Sequence, residues 1–472
     1  MLRPRLRDDT TELADGFERI RVELEVPDAF DDSVRAALAG LRADASEDRV
    51  DRRDLELVSM DPVGSRDLDQ AFHLERVGSG YRFSYAIADV AAWVTAGGPI
   101  DAEARRRGTT VYCPDRRVPL HPFELSEGAA SLLPGEDRPA LLWSIDLDQS
   151  GERTGAELSR TTVRNRRALD YQGAQDHLDG GGTDEQIRLL EEIGTRRLER
   201  EEARGGVSLN LPEQAVVKDG DHYTLRYDTT LDTERWNAQL SLCAGMAAAD
   251  LMLAAGFGIL RTLPPAGPGV IESLRAASRS LEVAWPDGTS YPDWVRSLDP
   301  SVPRHLALLH AAARTLRGAA YAAFDGPPPP LAEHSAIAAP YAHVTAPLRR
   351  LVDRFANECV LAACAHRRPP GWVIDAMAEL PATMESTGRR ASGVDHACVD
   401  LVEAVILESR VGDEFDATVT EVRHDGAAVV QIVDPAVVGV VRPAPPEAGV
   451  HVRVRVDATD PLRRTTTFSL VG

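Results

Sequence analysis

Apolar and polar positions alternate with a period of two in two parts of the chain, and a helical period fills the stretch between them. Residues 1 to about 50 are charged and hold one helix-like stretch around Asp32–Ala45. Leu55-Glu-Leu-Val-Ser-Met60 reads as a short apolar-rich strand, with Asp61 to Arg66 as the loop behind it. Ala71–Arg76, the turn Gly78-Ser-Gly80 and Tyr81–Ile87 predict a β-hairpin. Thr110–Tyr112 and Leu141–Leu147 are two further strands. A Gly180–Gly182 loop separates this half from a helical section made of Glu185–Arg204, Asn237–Ala255, a helix after Pro303, and Pro347–His366. Pro264–Pro268 and Pro327–Pro330 mark connections within it. Around Glu408 short strands return, at Asp413–Val422, Gly426–Ile432, Val437–Val441 and Val450–Val456. That run of turn-punctuated strands fits a small barrel of the OB type. The expected class is α+β: a mixed-sheet body with a large helical section, then a small C-terminal OB-type β-barrel. The boundaries read as 1–50, a short N-terminal segment; 51–372, the main body; 373–407, a helical connection; and 408–472, the barrel.

Composition changes this picture little. The chain has 472 residues, 43% of them hydrophobic, which is ample for packed cores and excludes wholesale disorder. Five scattered cysteines, Cys113, Cys243, Cys359, Cys364 and Cys398, do not make a disulfide framework. There is no CxxC and no zinc spacing, so a reducing, cytoplasmic setting is expected. The N-terminus MLRPRLRDDTTELADGF lacks the apolar run of a signal peptide. The longest apolar stretch, Cys243 to Leu260, is interrupted by Asp250 and reads as a buried helix rather than a membrane span. Lys218 is the single lysine, so nearly all basic charge is arginine. Arginine forks suit phosphate, although a genome-wide codon bias accounts for the same excess. The net charge of −21 argues against a surface coated for nucleic acid but leaves room for a local basic groove.

The sharpest chemical signal is Asp61-Pro-Val-Gly-Ser-Arg-Asp67-Leu-Asp69-Gln70, three carboxylates between two strands. On extended backbone Asp67 and Asp69 share a face, with Leu68 opposite. Pro62 and Gly64 allow the loop to fold back and bring Asp61 to the same point. Converging carboxylates call for a hard divalent cation, Mg²⁺ or Mn²⁺, and in phosphodiester hydrolysis such an ion activates water and stabilises the leaving oxygen. A solvated Asp-rich turn is the alternative for the loop taken alone.

The residues around the loop resemble the ribonuclease II/ribonuclease R family, the RNB-domain exoribonucleases. The likeness runs from Asp61…Asp67-Leu-Asp69 and Ala71-Phe72 through Ile87–Val90, Ile100–Tyr112 and Val118–Pro122. It continues through Leu125-Ser126, Ser131-Leu132, Asp137-Arg138 and Ala168–Tyr171 to Thr345-Ala-Pro-Leu-Arg-Arg350 with Asp353. The resemblance implies a Mg²⁺-dependent enzyme, with Mn²⁺ a possible substitute, that hydrolyses single-stranded RNA from the 3′ end and releases 5′-nucleoside monophosphates. It implies a monomer acting on RNA, without DNA or a membrane. Asp61, Asp67 and Asp69 then stand as metal-site carboxylates, Asp69 the indispensable one. Tyr112 takes the position of an aromatic that stacks on a base, and Tyr171 that of a tyrosine near the scissile phosphate. Arg349 occupies the position of a phosphate-holding arginine, with Arg350 as a second RNA contact. Thr345 as N-cap and Pro347 in a first turn would set both arginines at a positive helix start.

Three positions depart from the family pattern. Gln70 stands where a fourth Asp is usual, so this metal position offers an amide oxygen and no charge. Asn237 and Ala238 stand where a Glu-Glu pair is common. About 50 residues precede the RNB region, too few for paired cold-shock barrels. Two readings stay open: an active exoribonuclease, or a catalytically impaired RNB protein that binds RNA ends or partner proteins.

Overall fold

The computed structural model describes residues 9–44, 49–209, 211–220, 222–443, 445 and 447–471. The basic N-terminal residues before Asp9, and Ala45 at the end of the expected first helix, lie outside them. The charged N-terminal segment carries two helices, Asp9–Glu23 and Asp32–Ala39, where sequence periodicity had indicated one. The second stops at Gly40, short of the expected end.

The body is built on a six-stranded mixed sheet. Its order is Val50–Asp51, Arg153–Asp170, Leu57–Asp61, Gln70–Val77, Gly80–Ala88 and Asp137–Leu147. Asp137–Leu147 also pairs with Arg153–Asp170, so the long strand serves both ends of that order. The expected hairpin forms, with Gln70 opposite Ile87 and Val77 opposite Gly80. The 18-residue strand Arg153–Asp170 escaped the sequence reading because charged side chains break its apolar alternation. Trp143, Tyr85, Phe72 and Phe83 of this sheet and Phe355 of the helix Leu351–Cys364 are fully buried in one core. Burying such aromatic side chains contributes about 1.5–3 kcal/mol each.

The helix Asp232–Ala255 runs through that core, and its 24 residues are apolar enough to pass for a membrane span by length and composition. Much of it is buried inside the protein, as the reading of a core helix requires. Its end at Ala255 is the one expected, and the apolar stretch running on to Leu260 is helical only that far. Gly256 takes a left-handed φ of 78° and closes the helix, and Phe257–Thr262 leaves as a strand paired with Ala320–Asp325.

After the helix Leu380–Glu408 comes a closed barrel, ordered Glu414–Val422, Ala428–Ile432, Val437–Val441, Thr465–Leu470 and His451–Asp460. Val437, Gly439 and Val441 point inward while Val438 and Val440 face out. The barrel interior joins one apolar cluster with Leu13, Phe17 and Ile20 of the first helix and Leu401 and Val402 of the last.

Two glycines bear directly on the site. Gly108, at φ 68°, ends the helix Pro99–Arg107, and a Cβ there would stand 2.2 Å from Thr387 Oγ1. Gly64, at φ 82° in the acidic loop, has nothing within 4 Å of its missing Cβ. Gly64→Ala is therefore expected to cost about 1–2 kcal/mol of backbone strain, and Gly108→Ala a further 1–3 kcal/mol, roughly, from overpacking. Urea unfolding of both variants measures the difference; equal midpoints would refute the packing contribution.

Candidate active site

The strand Leu57–Asp61 runs parallel to Arg153–Asp170, with Asp61 opposite Asp170. Tyr171 is the next residue and opens the helix Tyr171–Asp179, capped by Asp170, whose carboxylate accepts from Gly173 N at 2.7 Å. Strand register thus brings Tyr171 to Asp61. Beyond Asp61 the chain turns on Pro62–Ser65 and is then pinned. Ser131 Oγ donates to Arg66 O at 2.6 Å and accepts from Leu68 N at 2.9 Å, and Leu132 N donates to Leu68 O. Leu68 is buried, which turns Asp67 and Asp69 to the opposite side.

Asp69 is the joint between this loop and a segment late in the chain. Its Oδ1 accepts from Leu348 N at 2.7 Å and its Oδ2 from Arg349 Nε at 3.3 Å. The local geometry there corrects the helix start expected at Pro347. Pro347–Arg350 form a turn in which Ala346 O accepts from Arg349 N and Arg350 N, and the helix begins only at Leu351. Leu348 N, the amide a Thr345 cap would take, goes to Asp69, and Asp353 in the first turn takes Ala346 N at 2.7 Å. Arg349 is accordingly placed by a turn and by Asp69. Arg350 gives two nitrogens to the Asp353 carboxylate at 2.5 and 2.8 Å.

The same turn positions Tyr112. Thr110 N donates to Arg349 O at 2.9 Å and Leu351 N to Gly108 O at 3.0 Å, so the Gly108–Tyr112 segment is stitched beside Arg349. Tyr112 is 52% exposed, an aromatic face at the rim. Directly across the short hairpin from it stands Arg117, whose Nη1 donates to Asp67 Oδ1 at 2.6 Å and Nη2 to Glu127 Oε1 at 2.5 Å.

Burial dominates the electrostatics. It pushes the Asp69 carboxyl up to about 8, against the pull of Arg349 and the Leu348 amide, with Asp353 and Asp67 adding repulsion. Asp61 is raised to about 6 by burial, again with Arg349 pulling down and Asp67 pushing up. Tyr171 is raised to about 12, first by burial, with Asp61 adding repulsion. The Arg349 charge pulls on all three groups.

The departures from the family pattern have definite partners. Gln70 Oε1 accepts from Tyr85 Oη at 2.5 Å and from Ser241 Oγ at 3.3 Å. Asn237 Nδ2 donates to Tyr171 Oη at 3.1 Å and to Met60 O at 3.5 Å, while Ala238 is exposed. Tyr85, Ser241, Arg117 and Glu127 were missed in the sequence. Tyr85 was within reach, since the hairpin register puts it on the same side of its strand as Ile87, Gln70's cross-strand partner. The other three depend on tertiary neighbours.

The expected meeting of Asp61, Asp67 and Asp69 at one point is not found. Among the described residues no three His, Cys, Asp or Glu side chains are grouped to hold an ion. The reason is local: Asp67 turns to Arg117, and Asp69 to Leu348 N and Arg349. The donors nevertheless suit a hard divalent cation. They are oxygens alone, and Asp61 Oδ2 is buried with no hydrogen-bond partner among the described residues. Asp61 and Asp69 would hold such an ion, joined by Asp67 once that carboxylate is released.

Comparison with known proteins shows the family. Residues 49–365 match the RNB domain, and residues 413–471 match the RNase II-type exonuclease C-terminal S1 domain. The chain belongs to the RNB family. The chain is 27% identical over 433 residues to ribonuclease R of Escherichia coli K12, covering 85% of this chain and 52% of that protein. A second relative, the exosome complex exonuclease RRP44 homolog A of Arabidopsis thaliana, is 26% identical over 398 residues, covering 81% of this chain and 42% of the relative. The chain thus spans about half the length of these relatives. Among solved structures, RNase R of Mycoplasma genitalium in complex with ribose-methylated single-stranded RNA superposes with a TM-score of 0.88. At 18% identity, covering 97% of this chain and 78% of that one, it shows the shared fold. Yeast Ssd1, a pseudonuclease, shares the fold at a TM-score of 0.70 and 16% identity, covering 88% of this RNB chain and 53% of Ssd1.

A carboxylate whose folded value lies near 8, against about 4 when unfolded, costs stability as pH rises through that window. In EDTA the wild type should therefore lose about 1–3 kcal/mol relative to Asp69→Asn between pH 5 and pH 8. Urea midpoints at several pH values measure this; parallel curves would sink the assignment of a desolvated Asp69.

Proposed function

We propose that this chain is a divalent-metal-dependent, hydrolytic exoribonuclease that degrades single-stranded RNA from the 3′ end to 5′-nucleoside monophosphates. Mg²⁺ is the proposed ion, with Mn²⁺ as substitute, and the protein is proposed to act as a monomer in the cytoplasm. Five free thiols support that location. The observation that carries the reading is an RNB domain in which Asp69 holds Arg349, Arg349 O holds Thr110 and so Tyr112, and strand register sets Tyr171 beside Asp61. Similarity to ribonuclease R along most of the chain supports it.

The chemistry follows from the contacts. Arg349 commits its Nε to Asp69, and its half-exposed guanidinium is placed to hold a phosphate beside the carboxylates. Tyr171 accepts from Asn237, which leaves its own hydroxyl proton for a phosphate oxygen. Tyr112 offers a face for a base, and such stacking is worth about 1–3 kcal/mol without regard to base identity. Burial of the carboxylates strengthens every charge interaction at the site. A bound divalent ion supplies an activated water and neutralises the leaving oxygen. Arg350, its charge balanced by Asp353, supports the turn.

One feature favours the second reading, a binding module with impaired hydrolysis. Gln70 and Asn237 are held in neutral hydrogen bonds where the family places carboxylates, and a pseudonuclease shares the fold.

A 5′-labelled single-stranded oligoribonucleotide incubated with Mg²⁺, Mn²⁺ or EDTA separates the two. Metal-dependent conversion to short 5′-labelled products, lost in Asp69→Asn with RNA binding retained, is the expected result. Intact RNA in every lane with a gel shift would establish the binding module. Gln70→Glu keeps the acceptor for Tyr85 and Ser241 and adds a charge. Its Mg²⁺ requirement is expected to fall by roughly two- to tenfold, and a rise would count against a cation beside residue 70.

A further inference from the structure

The bridge from Arg117 to two carboxylates has no part in the scheme above. The strand pair Val111–Tyr112 and Arg117–Val118 sets Arg117 opposite Tyr112, at the mouth of the acidic site. From there Nη1 reaches Asp67 Oδ1 at 2.6 Å and Nη2 reaches Glu127 Oε1 at 2.5 Å. Glu127 lies in the short turn Leu125–Ala129 and is also approached by Arg66 Nε at 3.7 Å. The guanidinium carbon stands 5.8 Å from the Phe123 ring centroid, a third contact independent of Asp67. Asp67 is thereby drawn out of the carboxylate group, and the triad of oxygens is incomplete as it stands.

We propose that Arg117 is a positioning residue that holds Asp67 away from the cation site and yields it to an incoming divalent ion, keeping its own charge satisfied on Glu127. The inference rests on the reading of Asp61, Asp67 and Asp69 as oxygen donors to a divalent cation. An arginine fork divided between two carboxylates can give up one and retain the other. Releasing Asp67 therefore exposes no unpaired guanidinium, and the exchange is cheaper than breaking an isolated pair. The consequence is a site that is electrostatically balanced without metal and becomes a three-carboxylate site with it. Arg117 thus sets the concentration of free cation at which the site fills.

Mn²⁺ binding to the full chain without RNA, followed by the electron paramagnetic resonance signal of the free ion, tests this apart from catalysis. Arg117→Gln should tighten the site that is lost in Asp69→Asn by roughly three- to tenfold. Arg117→Lys, which keeps the charge but cannot span both carboxylates, should tighten it by most of that amount. Glu127→Gln should weaken binding, because Arg117 then has Asp67 alone. If Arg117→Lys binds like the wild type while Arg117→Gln binds tighter, a mere field effect operates and the exchange is refuted. Unchanged binding in Arg117→Gln refutes it as well. A wild type with no Asp69-dependent Mn²⁺ site would instead overturn the cation reading on which the proposal stands.

Discussion

One buried carboxylate joins the two halves of the site. Asp69 accepts a backbone N–H from Leu348 and a guanidinium N–H from Arg349, residues 279 and 280 positions away. An isolated carboxylate at such depth would cost several kcal/mol, and these two donors offset only part of that cost. The turn that supplies them is itself fixed by Asp353, which accepts from Ala346 N and pairs with Arg350. Through Arg349 O the same turn captures Thr110 and so Tyr112. If Asp69 lost its hold, the acidic loop, the arginine and the rim aromatic would lose their common reference.

Many of the arginines are engaged in local ion pairs. Arg53, Arg164, Arg368 and Arg464 each sit on a nearby carboxylate at the surface. Pairs of that kind contribute about 0–1 kcal/mol each. The buried pair Arg354–Asp101 is different, since it ties the helix after the turn to Pro99–Arg107. At the site itself Arg349 and Arg117 carry the positive charge, each already engaged with one of the acidic-loop aspartates. An acidic chain can therefore keep balanced positive charge beside its acidic loop.

The two substituted positions form a neutral network instead of an extended acidic cluster. Gln70 receives the Tyr85 and Ser241 hydroxyls, and Asn237 donates to Tyr171. Negative charge at the site then rests on Asp61, Asp67 and Asp69, while the orientation of Tyr171 rests on an amide donor. That is a physical description of both readings at once: enough carboxylate for a cation, and less than the family pattern carries.

Local rules sufficed where neighbours in sequence are neighbours in space. The Ala71–Ile87 hairpin, the apolar helix ending at Ala255 and the small C-terminal barrel all follow from period, turn residues and apolar face. So does the acidic loop, because Leu68 must be buried and its flanking aspartates must then turn the other way. Motifs spread from Asp61 to Arg350 also marked the chain as a member of the RNB family. Tertiary structure alone decided their relations. The charged strand Arg153–Asp170 is stabilised by partners on both sides, which no window of its own sequence contains. The helix forecast at Pro347 yields to a turn because Asp353 and Asp69 compete for the backbone groups involved. Asp67 goes to Arg117 rather than to the other carboxylates because, without a cation, the nearest opposite charge wins over convergence of like ones.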